Sequence, residues 1–513
     1  MSQLNVVTSP VPFYRVAAVS ASVIAISGLW VADGAMAYSY RLLFVLGGIA
    51  AGMWLVGRVG TSSSERQWLR NLFLFGLAAR IVLVVALYRV FLVLYPESKG
   101  LFFYELDANL FAKAAEAMAD QWRATGIAPS ASIPIYSTGQ FMDPEGLTLA
   151  YLIFEGESLF ELVVAHGLLY LNAAVYYLFG NDLFLLVFLS CLSGALLSIF
   201  LYSIASTFCA PATARMAALL ATFYPGLLLY SGVPYKDIHT ALLLTLVLWT
   251  YLQLKEGFRF WKAFVLIAGF LALLLVRLTI ALPFATILLL SGVLDLRNTR
   301  RRQFMLALGG FTFVSLPLFM TGLLAMASHA ELLYGRIQGS FGRATQSYGG
   351  EGVTSFYRLT AWGGENWVSF LPAIFVTLGF VLIVPFPGWV LLHPDHPDVW
   401  LWLPEMVLWH ALLPFLFVGM YRAWRGEVRV PRILLITTGF SLIALSLGTL
   451  GSMSAVYYRV IIMPILLLLI AVGLEGLQTS VRAIYSIGHR LLAGSYYFGL
   501  GLASIFYVAY RWP

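Results

Sequence analysis

The run LFLLVFLSCLSGALLSIFLYSIAS, residues 183–206, holds no charged side chain. As a helix rising 1.5 Å per residue it extends for roughly 36 Å, enough to cross a hydrocarbon core of about 30 Å. A helix of this length in water needs a polar face. Here the only polar positions are scattered serines, a tyrosine and a cysteine. The stretch reads as a transmembrane helix, and it sets the fold because the chain repeats it in both directions.

Comparable apolar runs lie at 16–33, 41–57, 69–95, 213–232, 239–254, 261–276, 279–294, 304–326, 401–421, 432–450, 457–476 and 492–510. With 183–206 they predict an all-α polytopic membrane protein of about thirteen transmembrane helices. Two further segments, 162–179 and 369–391, are hydrophobic but ambiguous. Composition agrees: of 513 residues 60% are hydrophobic and 11% charged, with mean hydropathy +0.86, too few charges to keep a soluble chain of this length in water. The aromatic share of 15% suits rings placed at the headgroup level. Arg15 before the first run and Ala35-Met36-Ala37 after it resemble a cleavable signal peptide. More spans follow at once, so an uncleaved first span is expected.

The net charge of +7 does not argue for nucleic acid, because in a polytopic protein it reflects basic cytoplasmic loops. Those loops are visible as Arg58/Arg66/Arg70, Lys255/Arg259/Lys262, Arg297/Arg300/Arg301/Arg302, Arg422/Arg425/Arg429/Arg432 and Arg482/Arg490. Placing all five in the cytoplasm makes 96–160, the Pro234–Asp237 turn, Arg277, 327–368 and 449–459 external. It also requires 162–179 and 369–391 to lie in the interface or re-enter, and Pro385-Phe386-Pro387-Gly388 in the second would break a helix at mid-depth. The external loops carry short amphipathic helices: Ala108–Trp122 has helical periodicity and charges at Lys113, Glu116 and Asp120. Gly339, Gly342, Gly349, Gly350 and Gly352, followed by Tyr357, Trp362 and Trp367, suit either an active-site lid with a sugar-stacking wall or an interfacial anchor.

Charges at the rim of a membrane bundle are costly and usually functional. The turn Ser231-Gly232-Val233-Pro234-Tyr235-Lys236-Asp237-Ile238-His239 joins two apolar runs, and a hairpin demands no Lys, Asp and His together. Asp237 at a helix start can cap orphan N–H groups. Capping leaves Lys236 unexplained, and Lys236 suits phosphate as a point charge. Arg459 and Arg277 fall on the same face; each is either a second phosphate ligand or a side chain snorkelling to headgroups. Arg80, deep in 69–95, needs a carboxylate or backbone partner inside the bundle. Glu105 and Asp107 in an extended segment would point to one side, as a divalent cation requires, but two carboxylates alone assign no metal. His393, Asp395, His396 and Asp398 are interrupted by Pro394 and Pro397 and read as a polar turn. The two cysteines, Cys191 and Cys209, build neither a disulfide framework nor a metal motif.

The order of these features resembles the N-terminal module of GT-C glycosyltransferases, whose members include protein O-mannosyltransferases, oligosaccharyltransferases and the lipid A aminoarabinose transferase. The features are an acidic motif after a long helix, an amphipathic external helix, a short apolar helix ending Tyr176-Tyr177-Leu178-Phe179-Gly180, and two helices leading to Tyr224-Pro225-Gly226-Leu227-Leu228-Leu229-Tyr230-Ser231 and Lys236-Asp237. The resemblance covers roughly residues 69–300 by pattern order. It divides the chain into two additional helices (1–60), a GT-C-like catalytic module (61–300) and a C-terminal transmembrane module (301–513).

What the resemblance implies is a transferase moving a sugar from a polyprenyl-phosphate-linked donor to a glycan, lipid or protein acceptor at the outer face of the bacterial cytoplasmic membrane. Asp107 corresponds to the family's catalytic acid and would accept the acceptor's proton. Glu105, Tyr235, Lys236, Asp237, His239, Arg277 and Arg459 form the expected substrate-binding set. The acidic pair is Glu-Leu-Asp rather than two aspartates, so no cofactor is assigned and a divalent cation stays open. Two other readings also stay open: a polymerase or ligase acting on lipid-linked oligosaccharides, and a transporter or lipid flippase.

Overall fold

The computed structural model describes residues 35–59, 62–94, 106–125, 159–277, 397–449 and 454–479, with isolated positions between 280 and 291 and at 378, 382 and 496. Asp107 and several other helix-end residues are described by backbone alone. Glu105, the Gly339–Gly352 segment, the His393–His396 cluster, the runs at 16–33 and 304–326, and most of 279–294, 369–391 and 492–510 lie outside this set.

Among the described residues the regular elements are all helices: α1 (Ala35–Val59), α2 (Ser63–Leu94), α3 (Leu106–Thr125), α4 (Leu159–Phe179), α5 (Leu183–Ser206), α6 (Pro211–Phe223), α7 (Pro225–Tyr230), α8 (Lys236–Glu256), α9 (Phe260–Val276), α10 (Pro397–Arg425), α11 (Arg432–Thr449) and α12 (Ser454–Thr479). Six of them, α1, α2, α5, α8, α10 and α12, are long and apolar enough to cross a membrane. The protein is therefore a helical membrane protein. The expected number of about thirteen spans extends over runs outside the described residues.

Local chemistry explains the boundaries. Gly180, with φ 94°, closes α4 in a conformation that favours glycine, and its N–H bonds the Tyr176 carbonyl at 2.8 Å. Asp182 then caps α5 by accepting the Phe184 N–H at 3.0 Å. The run at 213–232, expected as one span, is broken: α6 stops at Phe223, Tyr224 is extended, and Pro225 opens the separate α7. The reason is Pro225, which can start a helix but cannot continue one.

Helices α5, α8 and α12 pack on one another as a central shaft. Every residue of α12 from Arg459 to Gly473 is buried, as expected of a helix that is apolar all round and surrounded by others. α10 crosses α12 most intimately. A methyl on Gly419 would overlap the Leu469 carbonyl, and one on Gly473 would overlap the Phe415 carbonyl. This reciprocal backbone approach is the kind that small residues permit between membrane helices.

The bundle has two unlike ends. At one, Tyr202 donates to Glu65, Arg215 lies 5.4 Å from the Trp68 ring, Lys262 bonds the Gln253 carbonyl at 2.8 Å, and Arg422 bonds the Val472 carbonyl and pairs with Glu475 at 3.7 Å. This is where the described basic loops collect. The opposite end holds the start of α5, the α7–α8 turn, the end of α9 and the starts of α10 and α12. α4 does not cross between the ends. Near its start, Gly167 abuts Leu275 close to the end of α9, while at its finish Phe179 meets Phe44 of α1, with ring centroids 4.8 Å apart. α3 packs on α4, with Trp122 against Tyr170 and Tyr177, and Ala112, Ala115, Ala119 and Trp122 are its buried apolar stripe.

Candidate functional site

The site is built at the end opposite the basic loops, where α8 starts. Tyr235 takes the N-cap position without a side-chain capping bond, and Lys236 is the first helical residue. The Lys236 ammonium lies 5.3 Å from the Tyr235 ring centroid, a cation–π arrangement. Asp237, in the first turn, could have capped the helix. It pairs instead with the Arg277 guanidinium just past the end of α9. Both are buried, at 1% and 9% exposure, so each charge depends on the other for its tolerance inside the bundle.

His239 stands one turn further in, between two serines of α5. Ser190 Oγ is 3.2 Å from Nε2 and Ser193 Oγ is 2.9 Å from Nδ1. The Ser193 hydroxyl proton is directed to the Leu189 carbonyl at 3.0 Å. Nδ1 must therefore carry the proton of its own bond, which leaves Nε2 to accept from Ser190. The turn that begins with an exposed-type residue, Lys236, thus continues into an ordered polar chain.

Arg459 enters from α12 and is fully buried. Its Nη2 donates to Glu405 Oε1 at 3.2 Å, and its guanidinium lies 4.4 Å from the Trp409 ring centroid. Tyr224, at the α6–α7 break, donates its hydroxyl to the same Glu405 oxygen at 3.3 Å. The sequence leaves Arg459 as either a phosphate ligand at the rim or a side chain snorkelling to headgroups. The structure gives that charge a carboxylate and an aromatic face within the protein. Glu405 is the functional-site residue missing from the sequence set. It was detectable by the rule applied to Arg80, since it is the single acid within the apolar run 401–421.

Arg80 is also fully buried and takes the backbone alternative. It donates through Nη1 to the Gly76 carbonyl at 2.9 Å, through Nη2 to the Ala221 carbonyl at 3.4 Å, and through Nε to Ser231 Oγ at 3.1 Å.

Asp107 lies in the first turn of α3, in a helix rather than an extended segment. At the other end of α3, Arg123 pairs with Asp120 at 2.7 Å, bonds Asn181 at 2.9 Å and donates to the Tyr176 carbonyl, while Trp122 packs on Tyr170 and Tyr177. Asn181, just past the end of α4, bonds both Glu116 and Asp120 of α3, while Trp122 reaches back to Tyr170, so these contacts join the second half of α3 to the end of α4 and do not bring Asp107 to Lys236 or Arg277. The geometry joins Tyr235 to Lys236, Asp237 to Arg277 and Arg459 to Glu405, all at one end. Among the described residues no group of three or more His, Cys, Asp and Glu side chains forms a metal-binding cluster.

No protein-family model, no curated protein and no solved structure matches this chain.

Proposed function

We propose that the protein is a membrane glycosyltransferase of GT-C type that moves a sugar from a polyprenyl-phosphate-linked donor to a glycan, lipid or protein acceptor. The reaction would take place at the outer face of a bacterial cytoplasmic membrane, in cell-envelope glycan or glycolipid assembly. One observation carries the reading. Lys236, the Asp237–Arg277 pair, His239 and the Glu405–Arg459 pair gather at the end of the bundle opposite its basic loops. Nothing in bundle packing requires so many charges there, and a lipid-borne phosphate would.

In this reading the donor's tail lies against the bundle and its phosphate reaches Lys236. Phosphate is the leaving group, so a cation beside it stabilises the charge that develops as the glycosidic bond breaks. The Asp237–Arg277 pair fixes the first turn of α8 and with it Lys236. Asp107 takes the proton of the acceptor hydroxyl as its oxygen attacks the anomeric carbon. A single base without a carboxylate nucleophile gives inversion at that carbon.

The test is transfer by purified protein in lipid nanodiscs, with a panel of polyprenyl-phosphate sugars. Asp107→Asn is expected to abolish transfer and retain donor binding, and Lys236→Ala to weaken donor binding. An Asp107→Asn variant as active as the parent removes the catalytic assignment. The length of the product separates single-sugar transfer from polymerisation of oligosaccharide units.

A second reading, transport or flipping of a lipid-linked glycan, draws on the α6–α7 break and the buried Arg80, since broken helices with internal charges are used for alternating access. It predicts movement of a labelled polyprenyl-phosphate glycan across proteoliposomes without any new glycosidic bond.

A further inference from the structure

α7 is six residues long, too short to hold its own helix, yet it carries the chain from the Tyr224–Pro225 break into the turn that presents Lys236. Its two ends are held by residues of opposite charge. Before the break, the Ala221 carbonyl would normally accept from the residue four positions on, which is Pro225 and has no N–H. Arg80 Nη2 supplies a donor at 3.4 Å. The same guanidinium reaches past α7 to Ser231 Oγ at 3.1 Å, so one side chain joins the residue before the break to the residue that closes α7. α5 runs close beneath: a methyl on Gly194 would overlap Ser231 Oγ, and Cys191 Sγ lies 3.2 Å from the Ser231 carbonyl.

At the head of α7 the arrangement is reversed. The Glu405 carboxylate lies against Gly226, where any Cβ would collide with it. Gly226 is in the first turn, where helix N–H groups lack acceptors within the helix and the dipole favours an anion. Glu405 Oε2 is buried and makes no hydrogen bond among the described residues, while Oε1 binds Arg459 and Tyr224. Arg80 thus serves the carbonyl end of α6, and Glu405 holds the head of α7 through the bond it accepts from Tyr224, the N-cap residue.

We propose that α7 is a positioning element for the Lys236–Asp237 turn, with Arg80 and Glu405 as the positioning residues that fix its two ends; the role given to the turn rests on reading it as the phosphate site. Loosening either end displaces Ser231 and the turn that follows, and uncovers Cys191.

Cys191 therefore serves as a built-in reporter. The experiment uses full-length Cys209→Ser protein in nanodiscs, N-ethylmaleimide labelling of Cys191, and binding of a polyprenyl phosphate. Arg80→Met, Glu405→Gln and Gly226→Ala are each expected to speed labelling by at least about tenfold, the scale set by losing one charged hydrogen bond, and to weaken polyprenyl phosphate binding. Arg80→Lys should restore part of both. Gly226→Ala keeps every charge and remains informative if a charge variant fails to fold. Gly419→Ala, which disturbs the α10–α12 crossing, should lower thermal stability and leave Cys191 protected. The proposal is overturned if Cys191 stays protected in folded Arg80→Met and Gly226→Ala, or if Gly419→Ala exposes it equally. Faster labelling with unchanged polyprenyl phosphate affinity keeps the fastening of α7, removes the phosphate reading of the turn, and overturns the positioning role with it.

Discussion

Asp237 and Arg277, 40 residues apart in the chain, form a buried ion pair where α8 begins and α9 ends. The pair closes the α8–α9 hairpin at the end of the bundle that presents Lys236. Breaking such a pair leaves one uncompensated charge in a low-dielectric setting, which costs about 3 kcal/mol or more. Asp237→Asn and Arg277→Gln should each lower the melting temperature of the detergent-solubilised protein strongly. The double variant should lose much less than the sum, because neither charge is then stranded. Additive losses would show that the two side chains do not depend on each other.

The α10–α12 crossing makes a second prediction, about stability alone. Gly419→Ala or Gly473→Ala places a methyl against a backbone carbonyl of the opposite helix, so the helices must separate. The expected cost is about 1–3 kcal/mol for each, read as a fall in melting temperature. Gly439→Ala, in α11 with open space around it, should be neutral. Equal tolerance at all three positions would contradict the close approach.

Tyr224 donates to Glu405 from the α6–α7 break. Tyr224→Phe removes that donor and leaves Arg459 on the same oxygen. A single hydrogen bond to a charged acceptor is worth about 1.5–3 kcal/mol, and the loss should shrink to about 0.5–1.5 kcal/mol when Tyr224→Phe is made in a Glu405→Gln background, whose amide oxygen still accepts but carries no charge. Persistence of the full loss there would place the contribution of the hydroxyl elsewhere.

His239 should be found as the Nδ1–H tautomer, because the Ser193 hydroxyl donates to Leu189 and can only accept from the ring. Nitrogen-15 NMR of selectively labelled protein distinguishes the tautomers. Ser193→Ala should shift the population toward Nε2–H; an unchanged spectrum would refute the assignment.

Cys209 lies beyond the end of α5. Burial, reinforced by the negative charge of Glu475, pushes its thiol up to about 12. The thiolate is the reactive form, and a raised value means that the protonated thiol persists through neutral and mildly basic pH. Maleimide labelling of Cys209 should be slow at pH 7 and accelerate steadily as pH rises toward 11. A plateau near pH 9 would mean an ordinary thiol.

Several particulars were legible in advance. The periodicity of Ala108–Trp122 marked α3, which extends only slightly further, to Leu106–Thr125, because alternating apolar and charged positions are a local property. Arg80 needed a backbone or carboxylate partner, since a charge in an apolar run has few alternatives. The Tyr224–Pro225 break was written in the sequence too, yet the length of the surrounding apolar run, 213–232, concealed it. Glu405 is concealed in the same way, as the single acid in a run, 401–421, that is otherwise apolar enough to cross. Partners could not be read at all: nothing local links Asp237 to Arg277 rather than to its own helix N-terminus, or Arg459 to Glu405 rather than to a lipid phosphate.

The amino-acid order alone determined that the chain is helical and lives in a membrane, because the bilayer leaves a backbone almost no other way to satisfy its polar groups. It did not determine which helix is central. α1 and α12 are both strongly apolar, yet 17% of the α1 window is buried and 89% of the α12 window, because lipid tails and protein side chains are equally apolar neighbours. Nor did it determine which charge meets which. Those pairings arise only when α5, α8, α10 and α12 pack together and exclude the water and headgroups that would otherwise neutralise each charge separately.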